Sequence, residues 1–70
     1  MDLSAELRAL RAATNRTQED VGEMASVSRG VVSLIERNLL HLVSEPALAR
    51  IQNAMEIMRS ELEQEPTLER

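Results

Sequence analysis

The stretch that decides the fold is residues 17–36, which read TQEDVGEMASVSRGVVSLIE. Thr17 belongs to the residue types that cap helix N-termini, and Asp20, three positions later, can complete a capping box with it. Ser28 is a second residue of the capping type. These signals predict two short helices, one after each cap, separated by a turn of three residues, 26–28.

Apolar residues recur at helical spacing in both predicted helices. They are Val21, Met24 and Ala25 in the first helix and Val31, Val32 and Ile35 in the second. A stripe with this spacing is buried against a close neighbour. The two helices are therefore predicted to pack against each other as a helix-turn-helix.

Gly22 stands in the interior of the first of these helices, where glycine costs about 1 kcal/mol relative to alanine. It is either a tolerated glycine or a position where the second helix crosses too closely for a larger side chain. A short turn requires a tight crossing, so the second explanation is favoured.

A further helix is predicted before the motif, up to about residue 14. Its apolar stripe comprises Leu3, Leu7, Leu10 and Ala13. Asp2 or Ser4 is expected to cap it, with Arg8 and Arg11 on or beside its solvent face. One side of this helix should therefore face the core.

A longer helix is predicted after Ser44, a residue of the capping type, with Pro46 in the first turn, where proline is tolerated. Its apolar stripe comprises Leu48, Ile51, Met55, Met58 and Leu62. This stripe is either a seam for a second chain or one side of the domain's own core. No residue near Glu56 and Ile57 breaks helices, but whether the helix continues through residue 57 stays open.

Four short segments carry a resemblance to a known family. They are Leu7-Arg8-x-Leu10-Arg11, residues 17–22, Val27-Ser28-Arg29 and Ile35-Glu36-Arg37. On these segments the chain resembles the phage repressor/Cro-like (XRE) helix-turn-helix family, over about residues 3–55. The resemblance implies an all-α fold, a compact bundle of four to five helices similar to lambda repressor. It also implies a positive φ at Ser26, where the family usually has glycine.

The resemblance implies a set of DNA contacts, because in such proteins the second helix of the motif enters the major groove. The residues concerned are Arg16, Thr17, Gln18, Ser28, Arg29, Gly30, Val31, Ser33, Arg37 and Asn38. Gln18 and Ser28 would hold phosphates, and Arg37 and Asn38 would anchor the far end. The residues that would face bases are Arg29, Gly30, Val31 and Ser33, of which Arg29 has the bidentate fork that guanine requires. For Arg16 a solvated loop arginine is the alternative. For Arg29 the alternatives are a phosphate contact and a solvated arginine.

Composition restricts the partner. The chain has no aromatic residues, which excludes stacking platforms for unpaired bases but leaves double-stranded DNA. A net charge of -4 is unusual for a nucleic-acid binder. However, residues 56–70 hold five glutamates against two arginines, whereas residues 1–38 hold six acids and five arginines. The excess of acid therefore lies mainly at the C-terminal end.

Other classes of function are not favoured. Without cysteine there is no disulfide framework or thiolate metal site, and no apolar run is long enough for a membrane span or signal peptide. These features predict a cytoplasmic protein. His41 has no neighbouring partners for metal binding or catalysis, so neither an enzyme nor a cofactor is predicted.

A homodimer is predicted, because 70 residues give a small core and the loop after the motif is apolar. The expected interface residues are Leu39, Leu40, Leu42, Val43, Met58 and Leu62. Alternatively, the apolar loop folds back on the core.

The sequence as a whole indicates one helix-turn-helix DNA-binding domain, residues 1–64, followed by an acidic frayed tail, residues 65–70. The predicted function is sequence-specific, double-stranded DNA binding by a transcriptional regulator, a repressor that binds a two-fold operator as a dimer. The alternative is a protein-protein interaction module on the same scaffold, with an antirepressor or antitoxin-like role and a protein partner.

Overall fold

Four α-helices and one 3-10 turn make up the part of the chain that the structure, a computed structural model, describes, residues 2–64. They are α1 (Leu3–Ala13), α2 (Gln18–Ala25), α3 (Arg29–Glu36), the 3-10 turn η1 (Leu40–Leu42) and α4 (Glu45–Glu63). No strand occurs within residues 2–64. The predicted all-α helix-turn-helix bundle is confirmed, and the predicted tail, residues 65–70, lies outside the described residues.

Polar side chains cap all four helices, at the positions that the sequence indicates. The caps are Asp2, Thr17, Ser28 and Ser44, and each accepts a hydrogen bond from a main-chain N–H two or three residues later. At α2 the Thr17 hydroxyl accepts from Asp20 N at 3.0 Å, and the Asp20 carboxylate accepts from Thr17 N at 2.9 Å. This capping box lowers the pKa of the Asp20 carboxyl, chiefly through the bond from the Thr17 amide.

The turn between α2 and α3 depends on Ser26, whose φ of 61° and ψ of 42° lie in the left-handed region. Its N–H bonds back to the end of α2, and Val27 N donates to Gly22 O at 2.9 Å. The positive φ expected at Ser26 is confirmed. A side chain in this region is strained, because its Cβ approaches the following carbonyl oxygen.

Replacing Ser26 with glycine should therefore raise the free energy of unfolding by about 0.5–1 kcal/mol. This value is the strain energy relieved minus the entropic cost of glycine, which has more conformational freedom in the unfolded chain. Thermal unfolding followed by circular dichroism measures the effect. Asn38→Gly is the control: Asn38 also has a positive φ, 63°, but asparagine tolerates this region, so the gain should be smaller. A lower unfolding midpoint for Ser26→Gly would contradict the prediction.

Gly22 lies where α2 and α3 cross. A Cβ atom built on Gly22 would lie 2.8 Å from Val27 O and 3.4 Å from Arg29 N, and both of these are main-chain atoms. Because the contacted atoms belong to the main chain, no flexible side chain can move aside to relieve the contact. The close crossing predicted at this position is confirmed.

Every α-helix contributes to one core. The buried apolar residues are Leu7, Leu10, Val21, Ala25, Val32, Ile35, Ile51, Ala54, Met55 and Met58. Ala13, the last residue of α1, was expected in the core but is exposed.

The long helix α4 runs unbroken through Glu56 and Ile57, which answers the question that the sequence left open. Most of its apolar stripe is one side of the domain's own core. Met58 is 0% exposed, so its prediction as a dimer-interface residue is wrong: an interface residue must be accessible in the free protomer. Leu62, at 46% exposed, remains accessible.

The apolar loop after α3 is divided between core and solvent. Leu40 and Val43 pack against the core, whereas Leu42 is 59% exposed. Leu39 is half-buried. The alternative that the loop folds back on the core is thus correct for Leu40 and Val43, whereas Leu42 lies on the surface.

Among the described residues, no helix has both the length and the apolar composition that a membrane crossing requires. The same residues contain no cluster of three or more His, Asp or Glu side chains that could hold a metal ion.

Candidate nucleic-acid interface

Helix α3 has one side in the core and one side on the surface. Val32, Ile35 and Glu36 are buried, while Arg29 and Gly30 near its N-terminus are exposed. Ser28 caps the helix, and its hydroxyl accepts from Val31 N at 3.3 Å. The first turn of α3 is therefore both fixed in conformation and accessible.

The four residues predicted to face bases differ in accessibility. Arg29 and Gly30 are exposed, Ser33 is half-buried, and Val31 is half-buried with its side chain packed against the core. Arg29 and Gly30 thus present the most surface of the four. Val31 contributes mainly to the packing of α3.

Leu34 is a surface residue of α3 that the sequence reasoning missed. It follows Gly30 by four residues and precedes Arg37 by three, so the helical repeat puts all three on one side, opposite Val32 and Ile35. Leu34 is half-buried and is not part of the core cluster. Its helical position alone would have revealed it, but an apolar residue in a helix is normally assigned to the core.

A surface cleft of about 420 Å³ is lined by residues from the end of α1, the start of α2 and the start of α3. Its walls are Arg11, Thr17, Gln18, Glu19 and Arg29. Arg11 is paired with the Glu36 carboxylate, so the features here that suit an anion such as a phosphate are Arg29 and the N-terminus of α2, whose free N–H groups carry partial positive charge. Of the predicted DNA contacts, Thr17, Gln18 and Arg29 are brought together here.

Gln18 is held in position by a buried carboxylate. Its Nε2 donates to Glu36 Oε1 at 3.1 Å, and Glu36 is only 5% exposed. Arg11 donates to the same carboxylate through Nε at 2.6 Å and Nη2 at 3.0 Å. The hydrogen bond with Glu36 raises the pKa of Arg11. This network fixes two side chains that line the cleft.

The partnership of Arg11 with Glu36 was not foreseen, since Arg11 was expected on or beside the solvent face and Glu36 only as part of the end of a helix. The signal was present: Arg11 follows the buried Leu7 by four residues, and Glu36 follows the buried Val32 by four. Both charged residues therefore continue an apolar stripe, which places them near the core with opposite charges.

Glu36 also anchors the C-terminal end of α3 to α1 through its main-chain carbonyl. Ser4 Oγ donates to Glu36 O at 2.6 Å, and an Arg8 guanidinium nitrogen donates to the same oxygen. Ser4 is thus buried inside the fold, and Asp2 is the cap of α1. These bonds satisfy a carbonyl that the end of a helix leaves without an intrahelical partner.

Arg16 is paired with a residue of α4. Its Nη1 and Nη2 donate to the two carboxylate oxygens of Glu61 at 2.7 and 3.2 Å. The pair raises the pKa of Arg16 and lowers the pKa of Glu61. Neither expectation for Arg16, a phosphate contact or a solvated loop residue, anticipated this partner.

Arg37 and Asn38, expected at the far end of the interface, are both exposed directly after α3. Arg37 is the C-terminal cap residue of α3, and Asn38 takes the left-handed conformation that ends the helix. The exposed side of α3 therefore carries an arginine near each end, Arg29 and Arg37.

A bundle in which two short capped helices form a helix-turn-helix, the second with its outer side accessible, defines the class of helix-turn-helix DNA-binding domains. A family model described as a helix-turn-helix domain matches residues 2–64. The chain therefore belongs to this helix-turn-helix family, within the XRE/Cro-like group, as the resemblance implied. Comparisons with curated proteins and with solved structures found no significant match.

Proposed function

We propose that the protein is a cytoplasmic, non-enzymatic transcriptional repressor that binds a specific double-stranded DNA operator as a homodimer. The single observation that carries this proposal is the exposed first turn of α3, where Arg29 shares a cleft with Gln18 at the N-terminus of α2. A duplex offers both ligands that this cleft suits, a phosphate and the edge of a base.

In this proposal α3 enters the major groove and α2 crosses the phosphate backbone. Gln18, Thr17 and Ser28 lie at the two helix N-termini, which favour phosphate. Arg37 and Asn38 contact the backbone at the far end of α3. The contact of Gln18 with Glu36 fixes its side chain before DNA arrives, which reduces the entropy lost on binding.

Base reading by this surface is sparse. Gly30 has no side chain, Ser33 is half-buried, and Val31 is half-buried and packs against the core. Arg29 can bridge O6 and N7 of guanine, and an apolar residue such as Leu34 can contact the methyl group of thymine. Specificity therefore depends most on Arg29.

Arg29→Ala should cost about 1–3 kcal/mol of binding free energy on the cognate operator and relax the preference at one base pair in each half-site. Binding assays with an operator selected from random duplexes, and with its single substitutions, measure both effects. Arg37→Ala is the matched control, since loss of a phosphate contact weakens all sequences about equally and lowers the salt slope by about one. Uniform weakening by Arg29→Ala would contradict the base-reading role.

The proposed dimer has two candidate surfaces. Leu42 lies before α4 and Leu62 near its end, and the 19 residues of α4 span about 28 Å. They are therefore separate patches. We favour the loop with Leu39, Leu40, Leu42 and Val43, because Leu42 is the more exposed and the loop follows α3, so pairing there brings two recognition helices together.

Sedimentation tests the dimer at a protein concentration of tens of micromolar, which is on the order of the concentration at which weak association is detected. Leu42→Glu should convert the dimer to monomer, because it places a charge in the interface. Leu62→Glu, on the other patch, serves as the matched control and should leave the mass unchanged. A monomer mass for the unmodified chain would contradict the dimer.

The second candidate function, an interaction module with a protein partner, is supported by three exposed apolar residues, Leu42, Ile57 and Leu62. Salt dependence distinguishes the two functions. Phosphate contacts produce a steep loss of affinity with increasing salt, whereas an apolar protein interface does not. Tight, salt-dependent binding to duplex DNA is expected, and its absence at low salt would favour the interaction module.

A further inference from the structure

Two arginines beside α2 are each held by both oxygens of a carboxylate, but in different surroundings. Arg11 pairs with Glu36, whose side chain is 5% exposed. Arg16 pairs with Glu61, whose side chain is 44% exposed. The first pair is part of the packed interior. The second lies on the surface, where an ion pair contributes little to folding and its partners remain open to exchange.

The position of Arg16 makes its pairing relevant to DNA. Arg16 directly precedes Thr17, the N-cap of α2, and its main-chain oxygen accepts a hydrogen bond from Arg11 Nη1 at 3.3 Å. The backbone of Arg16 is thereby fixed beside the cleft that suits a phosphate. A guanidinium at this place would normally add to the attraction for the DNA backbone.

Two acidic residues surround the Arg16 guanidinium. Glu61 binds it directly, and Asp20 is close enough for its negative charge to contribute to the raised pKa of Arg16. With one positive and two negative charges, the group carries a net charge of about -1 at neutral pH. A phosphate that approaches the N-terminal end of α2 is therefore repelled by the net negative charge of this group, although Arg16 alone would attract it.

We infer that Glu61 is an internal competitor for the DNA backbone: it occupies Arg16 in place of a phosphate and so lowers the affinity of the chain for duplex DNA. The inference rests on the proposed DNA-binding function. It assigns a role in binding to α4, which carries the acidic partner although the helix-turn-helix itself is formed by α2 and α3. It also gives the acidic C-terminal half of the chain a specific effect on affinity.

Glu61→Gln tests this inference, because it keeps the shape of the side chain and removes its charge. Glu56→Gln is the matched control: Glu56 is also an exposed residue of α4, its partner is Arg59 at 3.3 Å, and the charge change is the same. The probe is a random-sequence duplex of about 20 base pairs, long enough for two half-sites one helical turn apart. Affinity is measured at several salt concentrations.

Glu61→Gln should bind the duplex about two- to fivefold more tightly at low salt, the range expected from releasing an exposed ion pair. Its salt slope should become steeper by about one, because one more phosphate is contacted. Glu56→Gln should leave the slope unchanged. Circular dichroism checks that both variants keep the helical content of the unmodified chain.

Arg16→Ala completes the test. In the unmodified chain it should change affinity little, since Arg16 is already occupied, whereas in the Glu61→Gln background it should remove the whole gain. Equal effects of Glu61→Gln and Glu56→Gln would overturn this inference alone, as would a lower salt slope caused by Arg16→Ala by itself. A folded chain that binds no duplex at low salt would overturn the proposed function and the inference together.

Discussion

Replacing Arg11 with methionine should destabilise the protein by about 3 kcal/mol, the lower end of the range for removing one partner of a buried ion pair. The lower end applies because the Arg11 side chain is 26% exposed. Methionine keeps most of the aliphatic stem, so the loss reports the charge. The Glu36 carboxylate, 5% exposed, would then retain only the Gln18 amide as a partner among the described contacts.

Chemical denaturation followed by circular dichroism measures this loss. A domain of this size has a stability of about 4–10 kcal/mol, so a large part of it would disappear. Arg16→Met is the matched control, because it breaks an exposed pair with Glu61 and should cost at most about 1 kcal/mol. Adding Glu36→Gln to Arg11→Met should recover part of the loss, since no unpaired charge remains buried. Equal losses for Arg11→Met and Arg16→Met would refute this account.

Gly22→Ala should destabilise the protein by about 2 kcal/mol, although alanine is by itself the better helix former. The added Cβ would lie 2.8 Å from Val27 O, so α2 and the turn must separate. Because α3 begins two residues after Val27, this helix, the proposed recognition helix, should shift as well. Thermal unfolding measures the loss of stability, and weaker duplex binding at a temperature where the variant is folded would report the shift.

Gly30→Ala is the control for this prediction, because the two glycines differ in their surroundings. A Cβ on Gly30 would meet only Ser28 Oγ, at 3.6 Å, which is ordinary contact. Alanine at position 30 should leave the unfolding midpoint unchanged or raise it, with a gain of up to about 1 kcal/mol in the free energy of unfolding. A midpoint that rises for Gly22→Ala as well would show that α2 and α3 can separate at little cost.

Local structure in this protein could be predicted from the sequence because each signal acts within a few residues. A cap such as Thr17 or Ser28 binds an N–H group three residues later, so the start of a helix depends on a short segment. The positive φ of Ser26, by contrast, was implied by the family resemblance, because the family usually has glycine at this position of the turn. At Gly22 the close crossing was favoured over a tolerated glycine, since a short turn requires a tight crossing.

The sequence by itself determined the four capped helices and the helix-turn-helix, whereas the outward-facing residues of α3 were implied by the family resemblance. The tertiary structure decided which charged side chains pair with each other and which apolar side chains are buried. Arg11 meets Glu36 across 25 positions and Arg16 meets Glu61 across 45. Helical spacing places Arg11 and Glu36 near the core, but no local signal specifies which residue either arginine pairs with. Met58 illustrates the same reason: helical spacing shows that a stripe is apolar, but only packing decides whether the chain's own core covers it.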